Sequence, residues 1–565
     1  MSQTILSLEW GLTKRVTDIS RLQLENFDVV IIGGGITGAG VAREAAFRGL
    51  KTALIEKNDF ASGTSSRSSK LAHGGFRYLQ SGEFKLVREA TTERNWLRNH
   101  FAHNVRAVPM NFISYEGTKF TPVKVRIGVF LYDFLSNFLS KYRQYAPHRF
   151  LSQENAIKEH PTLKHENLIM IGQFYDTNID DARLTIENVK ESIVLGNVTA
   201  VNYIEAEKFL FENDRVSAVQ VKDHITGNEF TIRGKQFINA TGVWTEMILP
   251  GNTQKRIRPT KGVHVMVPAD RVKNNGCIGL NSIDDGRNFF VINRDEFTLI
   301  GTTDTDYVLG EKGKPNQDLD FPYCTKEDCD YLFRTVNVMF PAAHLTYDDV
   351  IATWAGIRPL ILEEGKSESS VSRKHVILDS NGGITSIYGG KLTEYRKMAE
   401  DVFFHIIAEK GGFGVDIPKK MLKKNYSKRR FLIDMDRAEW DLYLQLNNPP
   451  ISPFIRNMLY QQYGRGTIEI VEKILENPDL GTPFLPENQF IPAEIYYILR
   501  HECAVHLIDV LCRRTEIAIK VTYRNQPIIA EKVGQIMAKE YGWNEKTRKE
   551  EIQAYLDHIA RTKWF

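Results

Sequence analysis

Phe27-Asp-Val-Val-Ile-Ile-Gly-Gly-Gly-Ile-Thr-Gly-Ala-Gly-Val-Ala-Arg-Glu-Ala-Ala-Phe-Arg-Gly-Leu-Lys-Thr-Ala-Leu-Ile-Glu56 reads as strand, tight turn, helix and second strand. Val29 to Ile32 are apolar and β-branched without alternation, the pattern of a parallel strand buried on both faces. Gly33, Gly35 and Gly38 then form G-x-G-x-x-G, which gives a tight turn, a bare backbone for a pyrophosphate and close packing of helix on strand. The helix expected from Ile36 to Arg48 aims its first N–H groups at that phosphate, with Thr37 in its opening turn. Glu56 closes the second strand, where a carboxylate accepts both hydroxyls of an adenosine ribose and disfavours a 2′-phosphate. NAD and FAD both satisfy this stretch.

Bulk properties narrow the class. At 565 residues the chain has room for two or three domains. Lys plus Arg number 73 against 70 Asp plus Glu, and a net charge of +3 gives no reason to expect nucleic acid as a partner. The five cysteines form no C-x-x-C pair, so neither a disulfide framework nor a metal site is expected, and a reducing compartment fits. No basic flank precedes an apolar run at the N-terminus, and no window resembles a membrane span.

Downstream of Glu56, residues Asp59 to Leu79 hold many hydroxyl side chains together with Arg67, Lys70, His73 and Arg77. Placed directly after the ribose-binding strand, they suggest an anion-cradling loop rather than a linker. Residues 84 to 100 are expected to be helical, as are Val125 to Tyr142, whose apolar stripe fits either core or a membrane surface. Gln236 to Val243 is an apolar strand entering Ala-Thr-Gly, with Gly242 close to the nucleotide, and so suggests a return to the first sheet. In Gly262-Val-His-Val-Met-Val267, alternation sets His264 opposite Val263, Val265 and Val267 and predicts a second, antiparallel sheet. Ala352 to Pro359 and Ile384 to Arg396 are again strand-then-glycine segments. Beyond Lys410 to Pro418 the chain is helical, near 452 to 463, 467 to 475, 492 to 514 and 526 to 541, and its entry carries the basic run Lys419 to Arg430.

The expected fold is α/β: a Rossmann-like nucleotide domain (about 27–80, 150–200, 234–250 and 345–409) interleaved with an antiparallel-sheet substrate domain (about 81–149, 201–233 and 251–344). An N-terminal arm (1–26) precedes it, and an all-α cap (410–565) follows.

Several segments together resemble the FAD-dependent, aerobic glycerol-3-phosphate dehydrogenases. The match is carried by Ile32 to Ala42, Ala61 to Tyr78, Tyr175 to Leu184, Ile300 to Thr305, Gly356-Ile-Arg-Pro-Leu360 and Gly389 to Ala399, with Asp509 to Thr515 resembling the family's Arg-Arg-Thr element. The resemblance implies a flavoprotein of the glutathione-reductase and D-amino-acid-oxidase type with FAD as cofactor. It further implies glycerol 3-phosphate as substrate, dihydroxyacetone phosphate as product and a membrane quinone as acceptor, with the protein held on the inner face of the cell membrane by an anionic surface. A glycerophosphate oxidase that reduces oxygen is the alternative. Homodimerisation is left open.

On this reading FAD is held by Gly33, Gly35, Thr37, Gly38, Glu56 and Lys57, by Thr64, Ser65, Ser66, Lys70, Leu71, His73, Gly74 and Gly75, and by Gly242, Gly356, Gly390, Lys391, Leu392 and Thr393. Arg358 and Arg77, with Tyr78 adjacent, suit the phosphate because arginine forks match it. His264 is the expected base, with His73 as runner-up, and Lys391 at a helix start suits the charge of reduced flavin.

Overall fold

The computed structural model of the chain describes residues 8–80, 82–138, 146–251, 255–307, 318–362 and 375–563, the side chains of 77, 80 and 138 excepted. At its centre five strands lie parallel in the order Ile384–Tyr388, Glu229–Asn239, Asn26–Ile32, Thr52–Ile55 and Val198–Val201. Val29, Val30 and Ile31 are sealed from solvent, so both faces of this sheet need a cover. On one face Val29 and Ile31 pack against the helices Ile36–Phe47, Asp181–Leu195 and Tyr395–Lys410.

The other face corrects the expected division of the chain. Residues 201–233, assigned to the substrate domain, belong to the first sheet. The hairpin Ile204–Glu212 and Arg215–Asp223 pairs antiparallel onto Glu229–Asn239. Its Phe209, Val219 and Val221 cover Val30 and Ile32. The N-terminal arm adds a helix, Leu12–Leu24, pinned there by the Arg15 guanidinium on Asp223 at 2.7 Å.

The second sheet has ten strands, largely antiparallel, with Ile257–Pro268 near one side and Arg106–Tyr115 beside Leu168–Asn178 near the other. Two segments expected in the nucleotide domain lie here instead: Leu168–Asn178, and Ala352–Ile361, which runs along Ile257–Pro268 from the pair Ile257 and Ile361 to the pair Met266 and Ala352. The glycine in Ala352–Ile361 reads as a nucleotide turn in sequence, yet a ten-residue ladder outweighs it.

The expected helix from Val125 runs as Pro122–Asp133, followed by a π-helical turn Phe134–Phe138; residues 139–142 of that expectation lie outside the described ones. In the C-terminal part, six longer helices between Arg437 and Thr562 enclose their own apolar core. The helical stretch expected at 492 to 514 breaks after His501, where Cys503 takes φ +48°, before short turns resume at Leu507.

That part is locked to the first sheet by buried charge. The Asp59 carboxylate accepts two hydrogen bonds from Arg514 at 2.8 Å each and one from Arg513, while Asn202 donates to it at 3.0 Å. Burial alone would raise the Asp59 carboxyl; Arg514 and Arg513 outweigh it and hold it at about 2. Arg514→Met is expected to cost roughly 3–5 kcal/mol in urea unfolding, because a buried carboxylate loses the bidentate one of its two arginine partners. Since the folded-state value lies below the unfolded carboxylate's ordinary ~3.9, this contribution is present above that pH and is lost as pH falls towards 2. A stability that does not change between pH 5 and pH 3 would contradict it.

Candidate active site

The turn after Asn26–Ile32 is built by contact. A Cβ on Gly38 would stand 1.8 Å from the Gly33 carbonyl oxygen, so only glycine lets the helix sit this close to the turn. The hydroxyl-rich loop folds over it: Ser65 Oγ accepts from Ile36 N at 2.9 Å, and Thr64 Oγ1 donates to the Ile357 carbonyl at 2.5 Å. Glu56 accepts from Gly34 N at 2.6 Å and from Asn58 N at 2.9 Å. Burial pushes its carboxyl up, and those two amides work against the rise.

From this turn a cavity of about 760 Å³ opens towards the second sheet. Of the residues singled out in the sequence, Gly33, Gly35, Thr37, Glu56 and Lys57 line its nucleotide end. Thr64, Ser65, Leu71, His73, Gly75 and Tyr78 line it from the loop. Gly242, His264, Gly356, Arg358, Gly390, Lys391, Leu392 and Thr393 complete the wall.

Four others are not on it. Gly38 packs against the turn, and Gly74 lies under Tyr132 and Thr91 with its N–H on Asp176. Ser66 and Lys70 line a separate cavity of about 80 Å³. Lys70 is buried on Asp181 at 2.7 Å, so its ammonium is already paired within the chain; burial would lower it, but Asp181 and Asp180 raise it overall. Arg77 opens the short helix Arg77–Gln80, and its side chain lies outside the described ones.

His264 and Arg358 meet through strand register. Across the ladder His264 faces Trp354, Gly262 faces Gly356, and Thr260 faces Arg358. Residues two apart share a face, so His264 and Arg358 look into the same cavity from rows about 13 Å apart. The glycine pair between them leaves room: a Cβ on Gly262 would meet the Arg358 guanidinium, and one on Gly356 would meet the Arg67 carbonyl. Arg358 donates to Thr302 Oγ1 at 2.7 Å and to Asp304 at 3.2 Å. His264 stacks on Trp354, with ring centroids 5.3 Å apart, and Ser69 Oγ lies 2.8 Å from its Nε2. Burial pushes the imidazole well below the usual histidine range, and the charges of Arg358 and Lys70 add to the effect.

Lys391 precedes a short 3₁₀ turn, Leu392–Glu394, and the helix Tyr395–Lys410. Its ammonium lies over the Tyr78 ring at 4.2 Å and 3.5 Å from Glu394, yet it makes no hydrogen bond among the described residues. An unbonded buried cation facing a cavity that begins at a dinucleotide turn suits a cofactor with a polar, electron-accepting ring. Ser69, Trp354, Thr302 and Asp176 are cavity or supporting residues that the sequence did not single out. Ser69 is hidden in a run of serines, and Trp354 is placed only by cross-strand register.

Residues 28–396 match the model of the FAD dependent oxidoreductases, and residues 427–548 match that of the C-terminal domain of alpha-glycerophosphate oxidase. An aerobic glycerol-3-phosphate dehydrogenase of Staphylococcus aureus (strain USA300) is 38% identical over 409 residues, covering 72% of this chain and 69% of the relative. The chain belongs to the FAD-dependent glycerol-3-phosphate dehydrogenase family. A solved glycerol-3-phosphate dehydrogenase from Bacillus halodurans, complexed with FAD, is 27% identical, with 98% of each chain covered and a TM-score of 0.77. An L-alpha-glycerophosphate oxidase from Mycoplasma pneumoniae with FAD bound, 17% identical with a TM-score of 0.51 over 72% of this chain and 98% of its own, shares the fold. FAD is thus the cofactor, and the choice between NAD and FAD that the first turn left open is resolved.

Gly38→Ala is expected to yield protein without FAD, because the added methyl displaces the turn that the pyrophosphate approaches. Visible absorbance of the purified chain checks this; a full flavin complement would overturn it.

Proposed function

We propose that the chain oxidises sn-glycerol 3-phosphate to dihydroxyacetone phosphate and passes the electrons to a membrane quinone. One observation carries the reading: a neutral imidazole and an anchored arginine share one face of one ladder, in the cavity that begins at the dinucleotide turn. The substrate is taken from the relatives named for it.

Arg358 holds the phosphate; Thr302 and Asp304 fix its fork, so little freedom is lost on binding. Arg77 and Tyr78 are assigned to the same anion. Bound FAD supplies the acceptor for the hydride that leaves carbon 2. His264 takes the hydroxyl proton from that carbon, and its depressed basicity keeps it unprotonated at neutral pH. Lys391 offers a fixed cation where negative charge builds up. His73, edge-on to Phe290 and with its carbonyl on Thr393, is assigned to the cofactor rather than to proton transfer.

A lipid-borne acceptor is supported by the helix Pro122–Asp133. Val123 (65% exposed), Ile127 (61%), Phe130 (55%) and Phe134 (39%) form one stripe, while Val125, Val129 and Tyr132 face inward. Lys124 and Arg126 flank the stripe in solvent, and the helix's one acid, Asp133, is buried on His148. Apolar residues rimmed by cations suit the surface of an anionic bilayer. Among the described residues no helix is long and apolar enough to cross a membrane. The basic run is a weaker candidate, since Lys428 pairs with Glu93 and Arg430 with Asp434 and Asp436, leaving Lys419, Lys420, Lys423 and Lys424 for the membrane. Oxygen remains the rival acceptor because the C-terminal match is to a glycerophosphate oxidase domain.

Anaerobic glycerol 3-phosphate is expected to bleach the flavin band, and reoxidation by a quinone is expected to outpace that by oxygen; faster peroxide formation would reverse the acceptor. Because the base must be unprotonated, the bleaching rate is expected to hold level above the ordinary histidine value of about 6.5 and to fall only at lower pH. The doubly substituted Ile127→Gln, Phe130→Gln chain is expected to lose about tenfold or more in affinity for phosphatidylglycerol vesicles, with flavin content unchanged. Unaltered vesicle binding would remove this helix from the membrane face.

A further inference from the structure

We propose that Ser69 relays the substrate's hydroxyl proton to His264, so that the base is reached through a serine rather than directly. The proposal rests on the reaction read above. His264 is only 2% exposed. Its Nδ1 is sealed from solvent and has no hydrogen-bond partner among the described residues, and its Nε2 is occupied by Ser69 Oγ at 2.8 Å. Ser69 itself is half-buried and lines the cavity. With Nδ1 sealed, the route open to a proton leaving the cavity is to Nε2, where it meets the serine hydroxyl first.

The parts are held in place. The imidazole lies between its two cross-strand neighbours: it stacks on Trp354 on one side, and on the other a Cβ at Gly301 would stand 2.6 Å from its Cδ2. The Trp354 indole N–H donates to the Ser68 carbonyl at 3.2 Å, and Ser68 binds Asp181 through both its hydroxyl, at 2.6 Å, and its amide, at 3.0 Å. The residue before Ser69 is thus fastened to the stacking partner of the base, which fixes the Oγ to Nε2 distance without help from a ligand.

A hydroxyl can accept one proton while donating its own. The substrate O–H breaks as a new Ser69 O–H forms; the old Ser69 O–H breaks as Nε2–H forms. The electron pair of the carbon 2 C–H bond leaves as hydride to the flavin, and the O–H pair closes the C=O bond. Burial, with the charges of Arg358 and Lys70 adding to it, disfavours the resulting imidazolium, so the proton returns by the same hydroxyl once the product has left.

The test is anaerobic stopped-flow bleaching of the FAD holoenzyme by glycerol 3-phosphate, in mixtures of H₂O and D₂O, together with dihydroxyacetone phosphate binding read from the oxidised flavin spectrum. The unsubstituted enzyme is expected to give a bowed proton inventory, as two protons move together. Ser69→Ala is expected to slow bleaching about 10²–10³-fold while product binding changes less than about twofold. Ser69→Thr, which keeps the hydroxyl, is expected to recover to within about tenfold of the parent. A Ser69→Ala rate within about threefold of the parent, or a threonine variant as slow as the alanine one, overturns the relay. Should the alanine chain not retain FAD, the parent's inventory decides, a straight line overturning the proposal. Failure of glycerol 3-phosphate to bleach the parent at all instead removes the substrate reading and the relay with it.

Discussion

The carboxylate of Asp59, three residues past Glu56 and closed off from water, is shared by two consecutive arginines from the far end of the chain. Around it four buried carboxylates (Asp59, Glu187, Glu502, Asp509) meet four buried cations (Arg183, Lys190, Arg513, Arg514). Arg183 joins the two halves of the network, donating to Glu502 and to the Arg514 carbonyl at 2.7 Å. Charges this deep attract strongly but surrender much hydration, so the network is weak evidence for stability and better evidence for a unique arrangement. An apolar seam could slide; a bidentate fork on a carboxylate defines one register between the cap and the nucleotide sheet.

That register fixes the loop that follows. Asp59 begins the hydroxyl-rich run, whose side chains take specific partners: Thr64 on Ile357, Ser65 under Ile36, Ser68 on Asp181 and Ser69 on His264. A serine-rich linker of the same composition would leave those hydroxyls to water. Here they fasten one sheet to the other, so the cavity has a defined wall where the two sheets meet.

Much of this was legible in the sequence where the signal is local. The turn Gly33 to Gly38, Glu56, the helices from Ile36 and Phe84 and the helical tail depend on neighbours a few residues away, and the pattern survives in one dimension. What was missed depends on pairing across distance. Residues 204–223 alternate as any half-buried hairpin does, and only the bare second face of the parallel sheet shows where they belong. Gly356 carried a nucleotide-like signature although its strand lies in the other sheet, because a glycine that admits a neighbouring carbonyl resembles one that admits a phosphate. Lys70 looked like an anion ligand because Asp181, which neutralises it, lies 111 residues away. Ser69 and Trp354 became visible only once His264 had a cross-strand neighbour.

The same ladder explains how the proposed hydride-transfer site can be assembled from one antiparallel pair. Alternation places His264, Gly262 and Thr260 on one face, and antiparallel register sets Trp354, Gly356 and Arg358 against them. The two ends of the ladder therefore receive opposite chemistry from the same pleat: a clamped, neutral ring at one row and an anchored cation at the other. A single-residue slip of either strand would turn its members to the opposite face, where Val263, Val265 and Ala355 now fill the core. The valines that bury that side thus hold the register on which the cavity depends, so hydrophobic packing on one face of the sheet sets the relative placement of the His264 ring and the Arg358 guanidinium on the other.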